Sequence, residues 1–238
     1  MLPEVPAFAG TTQVRDVLAA LRERRSCRAF RPDPVPREMI EAILDAARWA
    51  PSGGNLQPWR VIAVAGDARD EVVRVAGEAL FSGAEEEGEQ PIYPPTLHEP
   101  YRSRRFVNAE SLYSALKIPR DDKAARYRWV AENFRFFGAP VGLFFVIDRR
   151  MGHGQWAHHG MFMMAVMLAA EAHGLATCPQ EAWAQLRLTL HCHLALGEQE
   201  LLYCGMALGW ADPEHPSAAM VRERAALDEV AEFRGFGN

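Results

Sequence analysis

Cysteine is scarce in this sequence, and no two cysteines have the Cys-x-x-Cys spacing of a metal site or a redox disulfide. The four cysteines are Cys27, Cys178, Cys192 and Cys204. This usage indicates reduced thiols in a cytoplasmic protein. Long hydrophobic runs are also missing. The longest, at residues 160–170, has 11 residues, whereas a membrane-spanning helix needs about 20. The first ten residues lack the basic and apolar regions of a signal peptide, so we expect a cytoplasmic protein without a membrane segment.

An excess of positive charge and several catalytic motifs are absent too. The formal net charge is −5, which argues against general nucleic-acid binding. The sequence has no strand followed by GxGxxG and no GxxxxGK[ST], so it predicts neither a Rossmann dinucleotide unit nor a P-loop. GxSxG and HExxH are missing as well. The His-Cys-His run at 191–193 does not predict a metal site, because helix residues two apart face different sides. We expect no metal.

The hydrophobic pattern predicts many helices and few strands. Val14, Val17, Leu18 and Leu21 indicate an amphipathic helix. Further helices are expected from Pro36 to Ala50, over 67–80, 121–134 and 155–174, and up to about 195. Short apolar runs rich in β-branched residues predict strands at 59–65, 139–148 and 201–210. We therefore expect an α+β fold in one domain, 1–238, with a small central sheet covered by helices. Residues 81–120 are predicted to form an extended insertion or lid, and 211–238 a C-terminal arm.

Arginines are concentrated at two distant places in the chain. Arg22, Arg24, Arg25, Ser26, Arg28 and Arg31 follow the first helix, and Arg222 and Arg224 lie near the C-terminus. Guanidinium groups bind phosphate through two parallel hydrogen bonds, and a serine hydroxyl adds a donor. The two groups could therefore meet at one phosphate. The alternative is a solvated basic face at a helix C-terminus.

The segment APSGGNLQPW, residues 50–59, is a short polar loop between two prolines. Ser52, Asn55 and Gln57 offer hydroxyl and amide groups, and the two glycines allow close approach of a flat ligand. An ordinary helix-to-strand turn is the alternative interpretation.

The segment RRSCRAFRPDPVPREMIEAILDAARWAPSGGNLQPWRVIAV, residues 24–64, resembles the opening of the FMN-dependent nitroreductase family. FFGAPVGLFFVID, GQWAHHGMFMMAVMLAAEAHGLATCPQEAW and RERAALDEV extend the resemblance over most of the chain. YRSRR and LYSALKIPRDD, in and beside the insertion, are similar to the nitrobenzoate-reductase-like branch. The resemblance implies a nitroreductase-like fold with a mixed sheet, in an intertwined homodimer whose active sites lie at the subunit interface. It also implies that the arm at 211–238 reaches the partner subunit.

The resemblance implies a function as well. The implied function is that of an FMN-dependent NAD(P)H oxidoreductase, a nitroreductase that uses NADPH or NADH. In a ping-pong reaction, such an enzyme transfers hydride to nitroaromatic or related electron-poor acceptors, such as nitrobenzoates or quinones. A cation beside the flavin pyrimidine edge would stabilise the reduced ring, and Arg28 would supply it. No side chain is assigned as a certain catalytic group. The Glu181 backbone amide would lie near flavin N5.

The residues that the resemblance assigns to FMN come from five segments. Pro51, Ser52, Asn55 and Gln57 would come from the partner subunit. The complete predicted set is Arg24, Arg25, Ser26, Arg28, Pro51, Ser52, Asn55, Gln57, Asn133, Pro179, Gln180, Glu181, Arg222 and Arg224. Arg102, Arg104 and Arg105 in the insertion could attract a carboxylated substrate, or they are solvated charges.

Three other functions stay open at this point. A flavin-dependent ene reductase or dehalogenase could use the same scaffold; dehalogenation would need a lid with placed Glu, Tyr and Lys, and the nearby lysines are Lys117 and Lys123. A non-catalytic flavin-binding redox module is the second. A nucleic-acid-binding protein is the third, which the net charge and the lack of aromatic residues among the arginines disfavour.

Overall fold

Four strands form a single sheet at the centre of the molecule. The computed structural model describes residues 17–83, 86 and 92–236. The strands are β1 Arg60–Ala65, β2 Val141–Asp148, β3 Ala176–Gln180 and β4 Glu200–Gly209. Their order is β1-β2-β4-β3, and neighbouring strands pair antiparallel. A parallel bridge joins Ser26 to Thr177 beside β3, which makes the pairing mixed at that edge.

Helices cover both faces of the sheet. They are α1 Val17–Glu23, α2 Arg37–Ala47, α3 Gly66–Ser82, α4 Tyr101–Ala115, α5 Lys123–Ala131, α6 His153–Ala172, α7 Arg187–His193 and α8 Leu227–Val230. Short 3-10 segments lie at Gly53–Asn55, Glu132–Gly138, Glu181–Leu186 and Pro216–Ala219. Among the helices of the described ranges, none combines the length and the apolar character needed to cross a bilayer.

The core lies on the two sides of β2. Seven of its eight residues are buried, because the strand has helices on both faces. On one side, Phe145 of β2 packs with residues of α2 and α6. On the other side, Phe136 and Trp183 lie with ring centroids 4.5 Å apart. A Cβ on Gly205 of β4 would lie 2.1 Å from Cδ1 of Trp183, so the strand needs glycine to admit this ring.

Most of the predicted elements are confirmed, with shifts at their ends. α2 ends at Ala47 rather than at Ala50, and residues 48–50 turn before Pro51. β3 was not predicted. Helix α1 begins, among the described residues, at Val17, and Val14 lies outside them. Val17, Leu18 and Leu21 are 63%, 56% and 45% exposed, so this apolar face does not enter the core of the single chain.

The prediction that residues 81–120 are an extended excursion is wrong for a large part of that range. Residues 84–85 and 87–91 lie outside the described residues, but 101–115 form the helix α4. No residue of α4 is buried, so the helix has no apolar stripe by which sequence periodicity could reveal it. The C-terminal arm packs back on its own chain, because Ser111 Oγ of α4 donates to the carbonyl of Val221 at 3.0 Å.

Candidate functional site

Residues from both ends of the described chain meet at one cavity of about 140 Å³. Six of the eight arginine and serine residues in the two predicted basic groups line this cavity, whereas Arg22 and Arg31 do not. Its walls are Arg24, Arg25, Ser26, Arg28, Asn108, Ser217, Met220, Arg222 and Arg224. We call it the arginine cavity. The N-terminal and C-terminal basic segments are therefore one structural unit.

Arg222 joins the two segments through backbone carbonyls. Its guanidinium donates to the carbonyl of Arg24, to that of Glu23 at 3.3 Å and to that of Arg22 at 3.4 Å. These carbonyls lie at the C-terminal end of α1, where helix carbonyls lack intrahelical partners. Arg25 donates in the opposite direction, from Nη1 to the carbonyl of Ala218. Hydrogen bonds from arginines therefore join the N-terminal and C-terminal basic segments at the arginine cavity.

The cations of the arginine cavity repel one another. The pKa of Arg222 is lowered, first by burial and then by the charges of Arg224, Arg25 and Arg24, and the carboxylate of Glu171 offsets part of this. The Nε of Arg24 is buried and has no hydrogen-bond partner among the described residues. A bound phosphate would supply both acceptors and negative charge. The donor set therefore fits a phosphate group.

One wall of the site is fixed by the edge of the sheet. The amide of Cys27 donates to the carbonyl of Thr177 of β3 at 2.9 Å. This contact holds Arg28 near Cys178, where the arginine charge acts to lower the thiol pKa. Burial dominates and raises the pKa of Cys178 to about 12. The thiol is therefore protonated at neutral pH and unsuited to nucleophilic chemistry.

A hydrogen bond to Asn133 helps to hold the segment Pro179–Glu181 in place. The amide of Gln180 is buried and donates to the carbonyl of Asn133 at 2.8 Å, and its oxygen accepts from Trp183 Nε1 at 3.2 Å. The Gln180 side chain thus joins its segment to the backbone of Asn133, while the Asn133 side-chain amide donates to the carbonyl of Val130 at 2.8 Å. The Glu181 side chain points to the surface, and partial desolvation raises the pKa of its carboxyl group.

The loop of residues 51–57 lies apart from the arginine cavity. None of its residues lines that cavity in the described chain, and all of them except the half-buried Ser52 are exposed. Trp49 and Leu56, which flank or belong to the loop, are 73% and 56% exposed. Within one protomer, the predicted residues Pro51, Ser52, Asn55 and Gln57 therefore do not meet the predicted phosphate residues.

The three arginines of the insertion do not gather at one place. Arg104 forms an ion pair of 2.9 Å with Glu229 of α8. It lines a cavity of about 370 Å³ between α4 and the C-terminal arm. Arg102 and Arg105 line a different groove, where the Arg105 guanidinium lies 4.3 Å from the centroid of the Tyr93 ring. A single carboxylate would not contact all three in this arrangement.

Sequence reasoning missed three walls of the arginine cavity. Ser217 and Met220 precede Arg222 by a few residues, so their place follows once Arg222 is assigned to the site. Met220 Sδ lies 3.9 Å from Nη1 of Arg28. Asn108 is different, because it belongs to the unpredicted helix α4 and carried no signal in the sequence.

The antiparallel sheet between helical layers defines an α+β protein, and the arginine cavity at the sheet edge has the donors and the positive charge that suit a phosphate group. A family model described as the nitroreductase family matches residues 21–210. The chain belongs to the nitroreductase family.

Curated relatives and solved structures agree with this assignment. The chain is 41% identical to a nitrobenzene nitroreductase of Ectopseudomonas oleovorans over 90% of this chain and 94% of the relative. It is 34% identical to a 4-nitrobenzoate reductase of Pseudomonas putida, over 93% and 96%. The FMN and NADPH-dependent nitroreductase NfnB from Sphigopyxis sp. strain HMH has a similar structure, with a TM-score of 0.91, 44% identity and coverage of 93% and 100%. The nitroreductase NfnB from Mycobacterium smegmatis in complex with NADPH has a TM-score of 0.86, 31% identity and coverage of 91% and 96%.

Proposed function

We propose that this chain is an FMN-dependent NAD(P)H nitroreductase that reduces nitroaromatic compounds. The single observation that carries the proposal is the arginine cavity, where basic segments near residues 24 and 222 converge in a family whose relatives are nitroreductases. In such an enzyme, the arginine cavity would bind the phosphate group of FMN. When bound, FMN supplies the redox ring that takes hydride from NAD(P)H and transfers it to the acceptor.

The residues of the arginine cavity would hold the cofactor. Arg24, Arg25, Arg222 and Arg224 would bind the phosphate with Ser26, since guanidinium groups match phosphate oxygens in pairs. Arg28 would place its cation at the pyrimidine edge of the ring. The backbone of Pro179–Glu181 would lie against the ring. The hydrogen bond from the Gln180 side chain to the carbonyl of Asn133 holds this segment.

We propose that the active enzyme is a homodimer. The loop at 51–57 would then cover the FMN of the partner subunit, which accounts for its exposure and its separation from the arginine cavity within one chain. The exposed apolar side chains of Val17, Leu21, Trp49 and Leu56 supply surface that a second subunit would bury. The terminal part of the arm, where Phe233 and Phe236 are exposed, is the part that would reach the partner.

The acceptor is proposed from the relatives. Nitrobenzenes and nitrobenzoates are the first candidates, with quinones as related electron-poor acceptors. If the acceptor has a carboxylate, Arg104 or the pair Arg102 and Arg105 would attract it, but not all three together. A cytoplasmic location fits the four cysteines, which form no disulfide in the structure.

A spectroscopic experiment tests this function. We expect the purified protein to be yellow, with close to one FMN per chain, and NADPH or NADH to bleach it in the absence of oxygen. Nitrobenzene or 4-nitrobenzoate should restore the colour. A protein that binds no FMN would overturn the cofactor assignment. Bound flavin that no nicotinamide reduces would favour a redox module. Reoxidation by enones or halogenated phenols, but not by nitroarenes, would favour an ene reductase or a dehalogenase.

A further inference from the structure

The loop at 52–57 has three residues in the left-handed region, and its sequence disfavours this backbone at one of them. Gly54, Asn55 and Gln57 have φ angles of 62°, 55° and 50°. Glycine and asparagine adopt this region readily, whereas for a glutamine it costs about 1 kcal/mol or more. Such a conformation persists where surrounding contacts enforce it.

Contacts within the loop fix its turns. The Ser52 hydroxyl accepts from the amide of Gln57 at 2.9 Å, and the Ser52 carbonyl accepts from the amide of Asn55 at 2.9 Å. These hydrogen bonds determine the local shape of the loop. They do not determine how the loop is oriented on the rest of the molecule.

One side chain from outside the loop provides that anchor. The amide of Gly53 donates to Nδ1 of His158, in the first half of α6, at 3.3 Å. A Cβ on Gly53 would lie 3.0 Å from Cε1 of His158, so the loop backbone packs directly on the imidazole ring. Among the described residues, the other side-chain hydrogen bonds of 52–57 lie within the loop, so the bond to His158 is the one that joins the loop to another element.

The contact requires a particular form of the imidazole. Nδ1 accepts from Gly53 only when the ring is neutral and its proton is on Nε2. Gln155 Oε1 lies 3.2 Å from the same nitrogen and would accept from it if Nδ1 carried the proton. The imidazole therefore has two possible partners, and only one of them holds the loop.

We propose that His158 is a positioning residue for the FMN site. It acts through the amide of Gly53 and orients the loop that presents Ser52 and Asn55 to the cofactor of the partner subunit. This inference rests on the proposed function. It adds a role for a residue that has no contact with the arginine cavity and was not expected to serve the site.

Three variants test the role of His158. His158→Leu removes the acceptor and keeps much of the volume. His158→Asn keeps an acceptor, because the asparagine Oδ1 can take the place of Nδ1. His153→Leu is the matched control, since His153 is an exposed histidine at the start of the same helix. For each variant, we would measure FMN binding to the apoprotein, the temperature of unfolding and hydrogen exchange of the amides of residues 52–57.

We expect His158→Leu to weaken FMN binding up to about ten-fold, the equivalent of one hydrogen bond. Its amides at 52–57 should exchange faster, with little change in the unfolding temperature. His158→Asn should restore both properties, and His153→Leu should match the wild type. Wild-type exchange and affinity in His158→Leu would overturn the proposal, and so would a His158→Asn variant as impaired as His158→Leu. If the wild type binds no FMN, the proposed function fails. Hydrogen exchange at 52–57 still tests the anchoring role in that case, because faster exchange in His158→Leu than in the wild type does not depend on FMN.

Discussion

Arg222 donates a hydrogen bond to the carbonyl oxygen of Arg24, across 198 residues of sequence. The contact brings a residue of the C-terminal arm to the segment that follows the first helix. It also brings two guanidinium groups close enough for their charges to interact, which contributes to the lowered pKa of Arg222. The arm therefore completes a cationic cavity, in which the Glu171 carboxylate offsets only part of the repulsion between the guanidinium groups.

Replacement of Arg222 should weaken FMN binding. A charge-assisted hydrogen bond contributes about 1.5–3 kcal/mol, so we expect Arg222→Ala to raise the dissociation constant about ten- to hundred-fold. Arg222→Lys should be intermediate, because lysine keeps the charge and loses the planar fork. Arg37→Ala is the control, since Arg37 is an exposed residue of α2 that pairs with Glu41. Fluorescence titration of the apoprotein with FMN measures the constants, and equal values for Arg222→Ala and the control would contradict the prediction.

Inorganic phosphate should stabilise the apoprotein. An anion that binds only the folded state adds about 2.7 kcal/mol of stability at a concentration 100 times its dissociation constant. We expect phosphate to raise the unfolding temperature more than chloride at the same ionic strength. Arg222→Ala should lose most of the difference. Equal effects of the two salts on the wild type would mean that the arginine cavity does not select phosphate.

Arg28 should affect the rate of reduction as well as binding. Within the part of the chain that the structure describes, its guanidinium makes long contacts to the carbonyl of Ser26, at 3.4 Å, and to Met220 Sδ, at 3.9 Å. We expect Arg28→Ala to lose flavin or to be reduced by NADPH about ten-fold more slowly or worse, because a cation near the reduced ring stabilises it. Arg28→Lys keeps a positive charge and should be reduced faster than Arg28→Ala. Stopped-flow absorbance at saturating FMN measures the rate, and a wild-type rate in Arg28→Ala would refute the role.

The sequence could predict the centre of the fold because its signals there are local. β2 is a continuous apolar run, and in α2 the apolar residues Met39, Ile40 and Ile43 recur at helical spacing and are buried. β3 was missed because it is short and contains Pro179. The sheet order places β3 at the edge, where a proline costs no ladder hydrogen bond. Helix α4 was missed because it buries no residue.

The site could be predicted only in part. The residue types of Arg24, Arg25 and Arg222 indicated phosphate, but no rule of spacing brings residues about 200 positions apart together. The structure supplies that contact. The loop at 52–57 was recognised by its composition, whereas its anchor, His158, is an ordinary helix residue in the sequence. Its role depends on a tertiary contact with a backbone amide, which leaves no pattern in the chain.

Asn55→Asp should weaken FMN binding if the loop covers the ring of the partner's cofactor. Asparagine and aspartate both tolerate the left-handed backbone that residue 55 adopts, so the exchange changes charge and leaves the loop conformation accessible. A negative charge near the electron-rich ring should weaken binding about five-fold. Asn55→Gly, which also fits this backbone, separates the effect of charge from the loss of the side chain. An Asn55→Asp variant that binds FMN as well as Asn55→Gly does would contradict the prediction.

His159 should make the folded state sensitive to acid. The side chain is completely buried beside Phe145 and Tyr203. Burial lowers its pKa from 6.5 to about 4, and the neighbouring carbonyl of Pro58 offsets part of this. Since the unfolded chain binds this proton more readily, stability should be complete above about pH 6.5, fall as the pH drops towards 4, and change no further below that through this group. The difference in pKa corresponds to at most about 3 kcal/mol in the free energy of unfolding.

Urea unfolding between pH 4.5 and 7.5 measures this loss of stability, with His159→Phe as the variant and His153→Leu as the control. The free energy of unfolding of His159→Phe should decrease less on acidification than that of the wild type, because the variant has no proton to gain at this position. If the two proteins lose stability in parallel over this range, the buried imidazole is not the source of the acid sensitivity.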